Sequence, residues 1–129
     1  MTDWVEGGVT VDDSVELVRR LKSAGLDLLD VSHGSVTPDT SKIPWGPGFM
    51  VPAASRIRRE AAIPTAVGWQ ITEPQQAEEV VRDQHADLVV LAREMLRDPY
   101  WPYHAALELG DEKAQGILPI QYARAVKKR

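Results

Sequence analysis

Cysteine is absent from the 129 residues. This removes disulfides, thiolate metal sites and a cysteine nucleophile, and it agrees with a reducing, cytoplasmic location. Long apolar runs are also lacking. No stretch approaches the ~20 residues that a membrane-crossing helix needs, and Met1-Thr2-Asp3-Trp4 has neither the basic nor the apolar region of a secretory leader. Net positive charge is missing: the formal charge is −4, and the basic run Lys127-Lys128-Arg129 stands at the very end. A nucleic-acid binder usually carries a basic face, so neither nucleic acid nor membrane is expected as a partner, and that run reads as a solvated tail. His33, His85 and His104 are scattered without metal-ligand spacing, so no metal site is expected. Ser32-His33 lies outside any Gly-x-Ser-x-Gly elbow, which removes a hydrolase reading.

What is present is the composition of a globular chain, with 43% hydrophobic and 26% charged residues. The length suits one domain, taken as residues 1–129. Three short apolar runs, Leu26 to Val31, Ile63 to Trp69 and Ala86 to Ala92, do not alternate with polar residues. They read as parallel strands buried on both faces. Helical patterns lie between them. Thr10 and Asp13 form a capping box, Val11, Val15, Val18 and Leu21 share one face, and Gly25 ends that helix. Val51 to Ala62 is a second helix with Pro52 in its first turn. A third is capped by Thr72, with Pro74 early and Ala77, Val80 and Val81 inside. A fourth follows Pro99 and runs to about Leu109, and a last short one covers Ile120 to Val126.

Strands separated by single helices imply right-handed parallel crossovers. The fold class is therefore α/β: a partial (β/α)8 TIM barrel of about three parallel strands with flanking helices. A whole barrel needs eight strands and ~250 residues. Three strands leave two open edges, which invite pairing with another chain. The Gly/Pro-rich segment 34–49 follows the C-terminal end of the first strand, the end where βα barrels build their sites, and reads as a functional loop.

The strings Leu28 to Gly34, Pro64 to Gly68, Ala86 to Pro99, Trp45 to Gly48 and Pro119 to Tyr122 together resemble the old yellow enzyme family of NAD(P)H:flavin oxidoreductases, and its bacterial xenobiotic-reductase-like branch in particular. Leu28-Leu29-Asp30-Val31-Ser32-His33-Gly34 is similar to that family's sixth strand, and Pro64-Thr65-Ala66-Val67-Gly68 to its seventh. Ala86 to Pro99 resembles the eighth strand with its Gly-Arg-x-x-Leu-x-Asp-Pro continuation, here Ala92-Arg93-Glu94-Met95-Leu96-Arg97-Asp98-Pro99. Trp45-Gly46-Pro47-Gly48 and Pro119-Ile120-Gln121-Tyr122 match the branch. The resemblance implies the C-terminal, FMN-phosphate-binding part of an FMN-dependent NAD(P)H oxidoreductase of the ene-reductase type. Its substrate would be a small activated alkene and its reductant NAD(P)H.

By the same resemblance the cofactor contacts are Ser32, Gly34, Val67, Gly68, Trp69, Ala92 and Arg93. The catalytic residues lie on the first five strands, so none is expected in this chain. Arg93 suits phosphate oxygens, and Gly68 allows close backbone approach. The bland alternative for Arg93 is a salt bridge to Glu94 or Asp98. Ala92 stands where the family usually has glycine, which would be costly if that position needed a positive φ. Trp69 and Trp101 read mainly as packing anchors. Trp45 divides evenly between packing and covering a flavin or a neighbouring subunit. Tyr122 and Arg124, in a tail of residues 110–129, are interface candidates. Expected partners are the N-terminal barrel half or another copy of the chain. The alternative function is a non-catalytic, self-associating half-barrel that binds a phosphate-bearing ligand.

Overall fold

A computed structural model describes residues 2–34 and 36–126, so the basic run 127–129 lies outside the described residues. Helix α1 (Val11–Ser23) opens with the expected reciprocal cap: the Thr10 side chain accepts from the Asp13 N–H, and Asp13 accepts from the Thr10 N–H. It closes at Gly25, whose φ of +104° suits only glycine comfortably. Strand β1 (Leu29–Val31) follows, then the long loop and α2 (Val51–Ala61) with its early proline. The C-terminal carbonyls of α2 would be orphans. Arg19 of α1 donates to the Glu60 carbonyl at 2.9 Å and Lys22 to that of Ala62 at 2.5 Å, which locks the two helices side by side.

Strand β2 (Thr65–Val67), α3 (Pro74–Arg82) and β3 (Leu88–Val89) complete the three-stranded parallel sheet, ordered β1-β2-β3. Asp30 pairs with Ala66, and Ala66 with Leu88, so these three residues form one row across the sheet. Then come α4 (Arg93–Arg97), α5 (Trp101–Glu108), a 3-10 turn at Ala114–Ile117 and α6 (Ile120–Ala123). Among the described residues no helix is long and apolar enough to cross a membrane.

The core joins α1, α2 and α3 to one face of the sheet through Val15, Val18, Val31, Met50, Ile57, Val67 and Val80. A smaller cluster of Tyr103, Ala114 and Leu118 holds the C-terminal elements together.

Three expectations need correction. Burial on both faces holds for β2 alone; Leu88 and Val90 are 53% and 45% exposed, because helices cover only one side. Glu73, not Thr72, is the N-cap of α3: with Pro74 opening the helix, the Thr72 hydroxyl turns instead to the Glu73 carboxylate. The last helix stops at Ala123, after which a tight turn from Ala125 N–H to the Tyr122 carbonyl replaces the helical pattern.

Candidate functional site

The C-terminal tips of β1, β2 and β3 surround a cavity of about 280 Å³. Ser32 enters from β1, Gly68 to Thr72 from the turn after β2, and Val90 to Glu94 from the turn after β3. Five of the seven expected cofactor contacts, Ser32, Gly68, Trp69, Ala92 and Arg93, are thus brought together. Gly34 lies outside the lining, and the Val67 side chain is fully buried in the core, on the opposite face of β2.

Gly68 is explained by its neighbour. A methyl group there would come within 2.8 Å of the Val90 carbonyl oxygen, so the close approach is between strands. Past it the backbone is strained: Trp69 and Gln70 hold φ of +69° and +52°, at a typical cost of ~1–3 kcal/mol each. The strain is held from outside, since the Gln70 carbonyl accepts from Gly48 N–H at 3.1 Å and from the Gln76 side chain at 3.3 Å. Ala92 has φ −110°, so no left-handed conformation is demanded and alanine stands without penalty.

Arg93 is exposed and makes no ion pair among the described residues. Both candidate carboxylates are engaged elsewhere, Glu94 with Arg97, and Asp98 with His104 at 2.6 Å. The His104 contact, with help from the Tyr100 N–H, holds the Asp98 carboxyl below its usual range. The guanidinium therefore lines the cavity without an ion-pair partner among the described residues, with the Asp30 carboxylate elsewhere in the same lining. Backbone N–H groups of the first turn after β3 have no partners within their own helix. This set of donors suits an anion.

Beside the cavity lies an aromatic cluster that sequence reading missed. His33 is 5% exposed and packs edge-on against Trp4 at 4.8 Å, with Trp69 at 6.0 Å and Trp45 at 6.5 Å. Phe49 completes the cluster against Trp45 at 5.1 Å. The His33 Nδ1 lies 3.3 Å from the Thr2 carbonyl and so carries the proton; Nε2 is buried without a partner among the described residues. The signal was period two: Val31 and His33 fall on the same, buried face of β1. The loop 34–49 is thus pinned over the strand tips by Trp45 and Phe49, and Trp45, though packed there, stays 47% exposed. Tyr122 and Arg124 are exposed, away from the cavity. Among the described residues no group of His, Cys, Asp and Glu is arranged to hold a metal ion.

An open parallel sheet with helices on one face, and a donor-rich cavity at its C-terminal tips, is a segment of a βα barrel. No family model matches the chain. Curated relatives do. The chain is 51% identical to an NADPH dehydrogenase of Geobacillus thermodenitrificans over 95% of its own length and 35% of the relative's. It is 53% identical to that of Geobacillus sp. strain WCH70 and 46% identical to that of Halalkalibacterium halodurans, with the same coverage. The chain is therefore a homologue of NADPH dehydrogenases of the old yellow enzyme family, as the motifs suggested, and spans about a third of the length of these relatives.

Proposed function

We propose that this chain supplies the FMN-phosphate end of an NADPH oxidoreductase of the ene-reductase type. The observation that carries the reading is the unpaired Arg93 guanidinium, set beside Ser32 and the turns after Gly68 and Ala92 in one cavity. At about 280 Å³ it lies just below the range for whole-ligand pockets, ~300–1,000 Å³, and suits a phosphate head group rather than a whole cofactor.

The residues present fit that group. Arg93 pairs with phosphate oxygens, the Ser32 hydroxyl adds a donor, and N–H groups of the turns complete the shell. Of the two carboxylates in the lining, Glu94 is neutralised by Arg97, while Asp30 is unpaired among the described residues and opposes an anion, so the favourable field rests on Arg93 and the backbone donors. Trp69 walls the cavity and ties it to the aromatic cluster. The flavin, when bound, would supply hydride transfer from NADPH to an activated alkene. The chain's own part is to fix the phosphate end and so set where the ring lies.

The test is flavin content. The G. thermodenitrificans enzyme, with its matched third replaced by this chain, should purify with bound FMN, read from its visible spectrum. Arg93→Ala in that chimera should lose at least ten-fold in FMN affinity. Unchanged flavin retention would remove Arg93 from the site. The isolated chain, lacking the walls that the other strands would provide, should retain little or no FMN.

A further inference from the structure

We infer that His33 is a positioning residue for the cavity at the strand tips. Its buried ring is the wedge that keeps Trp69, and with it the strained turn after β2, in the shape that presents donors to an anion. This deepens the anion reading given above and rests on it. His33 itself lies outside the cavity lining. It comes two residues after Val31 and shares its buried, helix-facing side.

Two contacts fix the ring. Its Nδ1–H donates to the Thr2 carbonyl at 3.3 Å, and the Trp4 ring meets it edge-on at 4.8 Å. The Nε2 atom is buried without a partner among the described residues. A buried nitrogen left unpaired costs stability, so bonding at Nε2 does not explain the residue. The place of the ring among the tryptophans does. It meets Trp69 at 6.0 Å, and Trp69 packs in turn against Trp45 at 6.1 Å and Phe49 at 5.7 Å, both from the long loop.

Trp69 belongs to two structures at once. Its ring is part of this cluster, and the residue lines the cavity with a left-handed φ of +69°. A residue with a side chain stays in that region only while its surroundings over-determine it. Gly48 and Gln76 hold the Gln70 carbonyl, one residue further on. The rings of His33, Trp45 and Phe49 hold the Trp69 side chain. Without the His33 ring a void opens beside Trp69. The indole moves into it, the backbone relaxes out of the left-handed region, and the turn from Gly68 to Thr72 shifts relative to Arg93. Arg93 then keeps its charge but loses the donors that share an anion with it.

The test uses the whole chain, with inorganic phosphate as the probe in calorimetry and near-ultraviolet circular dichroism as a ligand-free view of the tryptophans. His33→Ala should lose at least five-fold in phosphate affinity and most of the near-ultraviolet signal, with its far-ultraviolet spectrum unchanged. His33→Phe returns a ring without either nitrogen and should restore both. His33→Asn returns an N–H for Thr2 but no ring, and should restore neither. If the alanine variant does not fold, the phenylalanine and asparagine variants carry the same contrast. A merely structural role would lower the melting temperature and leave the affinity of the folded chain as it was; that outcome overturns the inference, as does an alanine variant whose near-ultraviolet spectrum matches wild type. Phosphate lost by Arg93→Ala but kept by His33→Ala overturns this inference alone. Phosphate that does not bind wild type, or that binds Arg93→Ala equally well, sinks the anion reading and this inference with it.

Discussion

Arg58 and Arg93 stand at opposite ends of the same parallel sheet. Arg58, on α2, reaches the N-terminal ends of the strands and grips both oxygens of Asp87 at 2.8 and 2.9 Å. Asp87 also accepts from the Thr65 N–H at 2.9 Å, so one carboxylate ties α2, β2 and the start of β3 together. Arg93, at the C-terminal ends, makes no ion pair among the described residues and lines a cavity together with the strained Trp69 and Gln70. The difference teaches a division of labour common to βα barrels: the N-terminal end of the strands stabilises, and the C-terminal end is left available for chemistry.

The largest effect expected from breaking this division falls on Asp87. Asp87→Ala leaves Arg58 and the Thr65 N–H without their partner. The clamp is about a third exposed, with side-chain accessibilities of 30% and 33%, so the cost is at the low end for such pairs, about 2 kcal/mol. For a chain of this length that is a fall of roughly 7 °C in melting temperature, measurable by circular dichroism. A drop under 2 °C would remove the clamp from the stabilising set.

The same carboxylate gives a pH signature. The bidentate Arg58 contact, aided by the Thr65 N–H, holds Asp87 below the usual aspartate range. A folded-state pKa lower than the unfolded one contributes stability above the unfolded value, about 3.9, and loses it as pH falls through the folded value. Wild type should therefore lose stability toward Asp87→Asn below about pH 4, and the gap between them should be constant from pH 5 to 7. A gap that persisted unchanged at low pH would contradict the linkage.

Gly68→Ala sharpens the comparison, because Gly68 sits at the binding end yet is held there by packing. The added methyl group meets the Val90 carbonyl at 2.8 Å, and a backbone oxygen cannot swing aside as the end of a flexible side chain can. The strands must part, at about 1–2 kcal/mol. If unfolding curves of the two proteins superimpose, the strands relax freely and glycine is required by a ligand instead.

Local structure was far more legible in the sequence than the tertiary contacts that finish either end of the sheet, the Arg58–Asp87 clamp included. Strand and helix positions follow from local signals: the Thr10–Asp13 box, Gly25 after α1, Pro52 and Pro74 in first turns, and three Val- and Leu-rich runs. The convergence of Ser32, Gly68, Ala92 and Arg93 was also legible, because parallel strands place their tips side by side. Hidden were features set by tertiary contacts. His33 is buried by Trp4, Trp45 and Trp69, which come from three distant segments. The positive φ of Trp69 and Gln70 is imposed by Gly48 and Gln76, not by their own side chains. The open faces of β1 and β3 could not be read from apolar runs, since a run records that both faces are apolar and not whether both are covered.

The smallest effect on stability is expected at Arg93, and its smallness is the point. An exposed arginine with no carboxylate partner among the described residues loses little when truncated, so Arg93→Ala should keep the melting temperature of the isolated chain within about 2 °C of wild type. Its other consequence is chemical. Without the guanidinium, the cavity keeps the Asp30 carboxylate and the Glu94–Arg97 pair, so its residual field favours anions less. Titration with inorganic phosphate at low ionic strength, followed by calorimetry, should show weak binding to wild type and none to the variant. Lysine at this position should restore part of the affinity, because it returns the charge but not the forked geometry that matches two phosphate oxygens. A variant that melts many degrees lower while binding phosphate as before would turn the comparison around and make Arg93 a second clamp like Arg58.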